Sequence, residues 1–190
     1  MKAVMISIQP YWAFLIIAKA MGWEIKQHKE IEVRKNYPKA EDWNKVAKIY
    51  CSKDKKSFDR IPEKYRPAMK KFLGKVIGKF VCDRIYDITP LCDIPTFVNR
   101  YECVWDYGEA EHGLSFDELK AYLNTKNGYG WHISNLVIYD EPKELCEFIR
   151  PCDRFLDCIT CKRLVRNVYL SCENTLIRPP QSWCYVEDEE

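Results

Sequence analysis

The chain has 190 residues, of which 47% are hydrophobic and 14% aromatic, and this composition supports a folded core and excludes wholesale disorder. The net charge of +2 hides an asymmetry, because residues 1–80 carry 19 Lys and Arg against 8 Asp and Glu, whereas residues 81–190 carry 11 against 20. A basic N-terminal part favours an anionic ligand. The most apolar run, 13–18, is too short to span a membrane, and no export signal is recognisable. We therefore expect a cytoplasmic protein whose ten cysteines are thiols or metal ligands.

The first half of the chain shows the patterns of short strands and one helix. Apolar, β-branched runs predict strands, and apolar residues spaced by about three to four positions predict a helix. The predictions are a strand over 3–8, a helix over 11–25, strands over 30–34, 48–52 and 74–85, and a lysine-rich loop with a helical turn over 58–72.

One predicted strand alternates charged and aliphatic residues with the period of a half-buried strand. Ile31 and Val33 would face the core, which places Glu30, Glu32 and Arg34 together on the opposite face. Arginine offers a planar fork to a phosphate or a base edge, and a carboxylate accepts hydrogen bonds from exocyclic amines. The alternative is a solvated strand face with a weak ion pair. The spacing alone leaves both interpretations open.

The second half contains a capped helix, a strand and a cysteine-rich end. Ser115 and Glu118 form the sequence signature of a capping box, a Gly-Tyr-Gly stretch would end this helix, and a strand is predicted over 131–139. Five of the ten cysteines lie at position 152 or later. We therefore expect an α+β fold, with a small β-barrel and peripheral helices over 1–145 and a Cys-rich C-terminal extension over 146–190 that packs on the barrel.

Several short motifs occur in an order that resembles the ASCH domain of the PUA-like superfamily. They are Ile-Ser-Ile-Gln-Pro at 6–10, Lys-Glu-Ile-Glu-Val-Arg-Lys at 29–35, Ile-Tyr-Cys-Ser-Lys at 49–53, Gly-Lys-Val-Ile-Gly at 74–78 and Gly-Trp-His-Ile-Ser at 130–134. The final Pro-Pro-Gln-Ser-Trp-Cys-Tyr-Val-Glu at 179–187 is similar to the end of ASCH proteins of bacteria and phages. The resemblance implies a PUA-like barrel with a cleft for RNA or a nucleotide and, in a few members, hydrolytic activity.

The same resemblance assigns the motif residues to the cleft. Lys29, Glu32 and Arg34 would hold the ligand, and Lys35 would lie beside them. If the cleft is catalytic, Lys29 and Glu32 are the candidate catalytic residues, with Lys29 as acid or base. Glu32 stands where amidohydrolase members that process acetylated cytidine carry a nucleophilic Thr, which argues against covalent catalysis.

Further candidates lie outside this motif. Ser52 and Lys53 follow a strand that resembles the family's cleft-lining strand, within a basic stretch that would track a sugar-phosphate backbone or simply be solvated. The rings of Trp12 and Trp131, with His132, would stack on bases. A position in the core is the alternative for both tryptophans.

Four cysteines of the C-terminal extension have spacings that suit a metal. Cys158 and Cys161 form a Cys-x2-Cys pair, and Cys152 and Cys172 lie near enough in the sequence to complete a tetrahedral site. Four thiolates leave no open coordination position, so the zinc would be structural. Cys146 and Cys184 are alternative ligands, and uncoordinated thiols are the alternative to zinc.

Three functions remain open from the sequence. The first is an RNA-binding or modified-nucleotide-binding protein, the second is a ribonuclease or a hydrolase of modified nucleosides that uses the same cleft, and the third is a phage-type accessory protein that binds a protein partner. No membrane partner is expected.

Overall fold

The computed structural model describes residues 1–89, 96–99, 102–103, 112–124, 126–152 and 173–188. The strands in these residues are β1 (Lys2–Ile8), β2 (Ile31–Arg34), β3 (Trp43–Cys51), β4 (Val76–Val81), β5 (Ile85–Thr89), β6 (Thr96–Asn99), β7 (Glu102–Cys103), β8 (Gly128–His132), β9 (Ser134–Lys143) and β10 (Trp183–Glu187). The helices are α1 (Pro10–Ile17), α2 (Lys55–Asp59), α3 (Arg66–Lys70) and α4 (Phe116–Leu123), with 3-10 turns at Glu63–Tyr65 and Leu145–Glu147. The fold is therefore mixed α+β and mostly sheet, as the sequence predicts.

The strands form two five-stranded sheets, in the orders β10-β1-β3-β4-β9 and β2-β8-β5-β6-β7. β1 runs parallel to β3 and antiparallel to β10, so the first and last strands of the fold are neighbours. β8 and β9 are separated only by Ile133, whose N–H donates to the Glu30 carbonyl at 2.8 Å. The chain thus bends from one sheet into the other at this residue.

The predicted closed barrel is not found among the described residues. β2 is an edge strand of the second sheet, and no strand ladder joins it to β1 or β10 in this part of the chain. The sheets meet there through side chains instead of backbone hydrogen bonds. This open seam between β1 and β2 is where the cavity described below lies.

The main core lies between the first sheet and α1. Phe14 and Ile17 of the helix pack with Ile6, Ile49 and Phe80 of the sheet, and all five side chains are buried. Six of the eight residues of α1 are buried, which is typical of a helix that is apolar around most of its circumference. The helix therefore provides a rigid wall next to the seam.

Several element boundaries differ from the prediction for local reasons. α1 ends at Ile17 instead of reaching position 25, because the chain turns back at Gly22, which has a φ of +65°. The long strand predicted over 74–85 is β4 and β5, since the chain crosses between sheets after the Cys82 N–H donates to the Lys45 carbonyl at 2.8 Å. The segment 58–72 is more helical than predicted.

The predicted capping box at the start of α4 is confirmed. The Ser115 hydroxyl accepts from the Glu118 N–H, and the Glu118 carboxylate accepts from the Ser115 N–H. The helix ends at Asn124, which adopts a left-handed φ of 51°. The Gly-Tyr-Gly stretch that was expected to end the helix instead begins β8.

The C-terminal segment is partly described. β10 lies within the predicted extension and pairs with β1, and Asp188 beyond it forms a buried ion pair with Lys48 at 2.8 Å. Cys158, Cys161 and Cys172 lie outside the described residues. Cys146, Cys152 and Cys184 are free thiols that form no disulfide. The described residues contain no group of three His, Cys, Asp or Glu that would hold a metal ion. In the same residues, no helix is long and apolar enough to cross a membrane.

Candidate functional site

A cavity of about 270 Å³ opens at the seam between the C-terminal end of β1 and β2. One wall is the charged motif of β2 together with Lys29, and the opposite wall is the junction of β1 with α1. Gln9 and Trp12 line it from the start of α1, and Gln181 and Ser182 line it from the segment before β10. Leu114 and Tyr122 also line it, so residues from four separate parts of the chain meet in one concave site.

Three buried charged side chains form the floor of the cavity. Lys29, Glu32 and Arg34 are 4%, 6% and 7% exposed, which is unusual for charged residues. The Arg34 guanidinium lies 2.9 Å from one carboxylate oxygen of Glu32, and Lys29 Nζ lies 3.4 Å from the other. Glu32 is thus held between two cations, and the group has one excess positive charge.

Arg34 also connects β2 to the opposite wall. Its Nη2 donates to the Ser7 carbonyl at 2.6 Å, and its Nη1 lies 3.5 Å from the Ser182 hydroxyl. The Ser7 N–H in turn donates to the Ser182 carbonyl at 2.9 Å, and the Ser7 hydroxyl donates to the Pro180 carbonyl at 2.6 Å. One arginine therefore ties three chain segments together across the seam.

Two polar atoms of the floor have no hydrogen-bond partner among the described residues. They are Nε of Arg34 and Oε2 of Glu32, and both are buried. The Glu32 oxygen lies 3.4 Å from Lys29 Nζ, and the shortest hydrogen bond of this ammonium is the one that it donates to the His112 carbonyl at 2.6 Å. The site therefore holds an unused donor and an unused acceptor on neighbouring side chains.

Burial sets the protonation behaviour of the two basic groups at the back of the site. It lowers the pKa of Lys29 below its usual value, although the adjacent Glu32 carboxylate opposes this shift. Burial, and then the positive charge of Lys29, lower the pKa of His112 to about 4. His112 is consequently neutral at pH 7, and its Nδ1 accepts from the Leu114 N–H at 3.2 Å.

Of the predicted site residues, Trp12, Lys29, Glu32 and Arg34 line this one cavity, and their role in ligand binding stays a prediction. Lys35 follows them on the exposed side, where its ammonium lies 5.3 Å from the centroid of the Tyr122 ring. Lys35 is therefore near the cavity without lining it.

The other four predicted site residues lie elsewhere. The Ser52 N–H donates to the Ile8 carbonyl at 2.8 Å, and the Lys53 side chain extends over Gly74. Trp131 is completely buried between Trp43 and Trp183. The structure therefore favours a core position for Trp131.

His132 is also separate from the cavity. Its Nδ1 lies 2.6 Å from a carboxylate oxygen of Asp83, and its ring meets the edge of Tyr86. Because strand residues alternate between faces, His132 points away from the side on which neighbouring Trp131 packs.

The sequence interpretation missed several lining residues. Ser7 and Gln9 belong to the motif at 6–10, and Gln181 and Ser182 belong to the motif at 179–187. The sequence analysis used these two motifs only for their order along the chain and assigned no cavity residue to them. Tyr122 comes from α4, and no local pattern connects it to β2. These residues meet only through tertiary structure.

Comparison with known proteins gives similarity to solved structures alone. No protein-family model matches the chain, and no curated protein matches it. The chain is similar to the crystal structure of a point mutant of an ASCH protein from Zymomonas mobilis, with 17% identity and a TM-score of 0.49 over 100% of this chain and 93% of that one. It is also similar to the crystal structure of ASCH from Zymomonas mobilis, with 17% identity and a TM-score of 0.46 over 98% of this chain and 89% of that one. Both are ASCH proteins, which is the family that the sequence motifs resemble.

Proposed function

We propose that the protein binds a nucleobase, either of RNA or of a modified nucleotide, in the cavity between β1 and β2. The observation that carries this proposal is the pair of buried atoms, Arg34 Nε and Glu32 Oε2, without hydrogen-bond partners among the described residues. A buried polar atom that lacks a partner costs about 1–3 kcal/mol. A ligand that presents an acceptor beside a donor would recover both costs.

The edge of a nucleobase has this pattern. Cytosine, guanine and adenine each present an exocyclic amine near a ring or carbonyl acceptor, and carboxylates accept from such amines. Bases of single strands and free nucleotides leave these edges accessible. Glu32 would accept from the amine and Arg34 would donate to the neighbouring acceptor.

The size and charge of the cavity agree with a ligand of this class. Its volume of about 270 Å³ is close to the lower end of the range for small-molecule sites, about 300 Å³, which suits one base or nucleoside. Trp12 contributes an aromatic ring to its wall. The excess positive charge of Lys29 and Arg34 over Glu32 favours a ligand that carries a phosphate.

A digest of total RNA tests the proposal without choosing a base in advance. Nuclease and phosphatase treatment yields ordinary and modified nucleosides, and mass spectrometry identifies those that the immobilised protein retains. We expect at least one amine-bearing nucleoside to be retained by the wild-type protein and lost in Glu32→Gln. Glu141→Gln, which alters an exposed carboxylate of β9, should behave as the wild type. If the folded wild-type protein retains no nucleoside and no single-stranded RNA at low salt, the proposal is wrong.

A second candidate is hydrolysis of a modified nucleoside in the same cavity. The lowered pKa of Lys29 favours it, because a buried amine that loses its proton more easily is a better general base. Incubation of the retained nucleosides with the protein, followed by mass spectrometry, separates the two functions. A mass change that requires Lys29 would establish hydrolysis, and unchanged ligands would leave binding alone.

A further inference from the structure

We infer that a phosphate subsite lies at the rim of the cavity, centred on the guanidinium of Arg60. This inference deepens the proposed function, because it extends the ligand from a base to a nucleotide or an RNA strand. Nothing in the sequence motif of β2 involves Arg60, which lies at the end of α2.

The guanidinium of Arg60 lies over an aromatic pair that leads into the cavity. Its guanidinium carbon lies 4.1 Å from the ring centroid of Tyr11 and 4.7 Å from that of Trp12. Trp12 itself lines the cavity and has Lys29 Nζ at 5.5 Å from its ring. The Arg60 group is therefore one aromatic ring away from the charged floor.

Most hydrogen-bond donors of the Arg60 side chain are available. A guanidinium carries five N–H donors, and Glu118 is its one hydrogen-bond partner among the described residues. The Arg60 side chain is 43% exposed, and its acidic neighbour Glu118 is 3.5 Å away and 44% exposed. A half-exposed ion pair of this length contributes little and is easily exchanged for a phosphate.

The position of Arg60 is fixed by the same residues that fix its aromatic support. The hydroxyl of Ser57 accepts from the Tyr11 N–H at 3.0 Å, and the Ser57 carbonyl accepts from the Arg60 N–H at 3.3 Å. Asp54 caps the start of α2 by accepting from the Ser57 N–H at 2.6 Å. Ser57 therefore fixes the backbone of Arg60 relative to that of Tyr11, which reduces the ordering needed when an anion binds.

The surrounding charge favours a phosphate over other ligands. Residues 53–71 contain eight Lys and Arg against three Asp and Glu. Lys55 and Lys56, at the start of α2, are exposed to solvent. A base in the cavity would thus have its phosphate directed to Arg60, and further phosphates of a strand would continue towards these lysines.

A ratio of affinities tests the subsite. The probes are cytidine and guanosine, their 5′-monophosphates, their hexanucleotides and an abasic hexanucleotide, and the protein variants are Arg60→Gln and the exposed control Arg178→Gln. We expect the wild type to bind a monophosphate about tenfold more tightly than its nucleoside. Arg60→Gln should reduce this ratio at least about fivefold, because it should weaken binding of the monophosphate more than binding of the nucleoside.

The same measurements distinguish the sources of the phosphate and the two hypotheses. Tighter binding of hexanucleotides, weakened in a variant with Lys55→Ala and Lys56→Ala, would identify an RNA strand, whereas equal affinity would identify a mononucleotide. If no base-containing probe binds but the abasic strand binds in an Arg60-dependent manner, the nucleobase proposal fails and the subsite remains. If Arg60→Gln changes neither the ratio nor binding of the abasic strand, the subsite does not exist.

Discussion

Replacement of Arg34 by Ala would remove the link between the two walls of the cavity. The substitution leaves the Ser7 carbonyl without the donor that now lies 2.6 Å away. It also removes the cation that lies 2.9 Å from Glu32, so that only Lys29, at 3.4 Å, remains beside this buried carboxylate. We therefore expect Arg34→Ala to weaken both the fold and ligand binding.

The size of the effect follows from the burial of the pair. Loss of one partner of a buried ion pair costs about 3–5 kcal/mol, and the presence of Lys29 favours the lower end. For a domain of this length, 1 kcal/mol corresponds to about 2–4 °C in melting temperature, which gives a decrease of roughly 6–20 °C. The melting temperature of Arg34→Lys should lie between those of Arg34→Ala and the wild type. One ammonium restores the positive charge but not the several N–H donors that a guanidinium directs in its plane.

Thermal unfolding followed by circular dichroism measures the first effect, and titration with the retained nucleoside, below the melting transition, measures the second. Loss of a charge-assisted hydrogen bond to the ligand costs about 1.5–3 kcal/mol, or roughly ten- to a hundredfold in affinity. Arg178→Ala, at an exposed position, is the matched control. A decrease of less than about 2 °C for Arg34→Ala would contradict the structural role. Wild-type affinity in the folded variant would contradict the role in binding.

Burial and the charge of Lys29 hold the pKa of His112 at about 4, below the unfolded value near 6.5. Unfolding therefore takes up a proton between these pH values, and the free energy of unfolding should fall by about 3 kcal/mol from pH 7 to pH 4; urea denaturation of His112→Gln should lack this decline. Asp188→Ala should cost about 3 kcal/mol at pH 7, because it leaves Lys48 unpaired. Burial alone would raise the pKa of Asp188, but the contact with Lys48 lowers it overall. The destabilisation caused by Asp188→Ala should therefore disappear as the pH falls below about 4 and Asp188 of the wild type becomes protonated. Chemical denaturation of both proteins across this pH range measures this. Metal analysis should find about one zinc per chain, lost in Cys161→Ser, and a folded, metal-free wild type would contradict the zinc site.

The alternation of the β2 motif predicted which of its side chains share a face, whereas the assignment of Lys29, Glu32 and Arg34 to a cleft came from the family resemblance. Ile31 and Val33 are buried on one side, and Glu32 and Arg34 extend to the other, because period two is a local property of a strand. Glu30, which shares this alternation, instead pairs with Lys19 at 3.5 Å on the surface. It precedes the start of β2, so the strand pattern no longer determines its side.

The opposite wall could not be predicted from local patterns. Ser182 and Ser7 are separated by 175 positions in the sequence, and their hydrogen bond depends on the pairing of β10 with β1. The edge position of β2 likewise depends on the pairing of whole strands. Strand alternation specifies which residues share a face, whereas the partner of that face is decided by long-range pairing.

The proposed ligand would account for the buried charges of the cavity better than stability does. Well-packed apolar residues in place of a buried ion pair are often neutral or stabilising by about 1–4 kcal/mol, so a fold of this size has no need of three such charges at an open seam. Two backbone carbonyls determine how these charges are arranged. His112 accepts the shortest hydrogen bond of Lys29, and Ser7 accepts that of Arg34, both at 2.6 Å. These two hydrogen bonds hold Lys29 and Arg34 in place on either side of Glu32, and Arg34 Nε and Glu32 Oε2 are the atoms that the proposed ligand would contact.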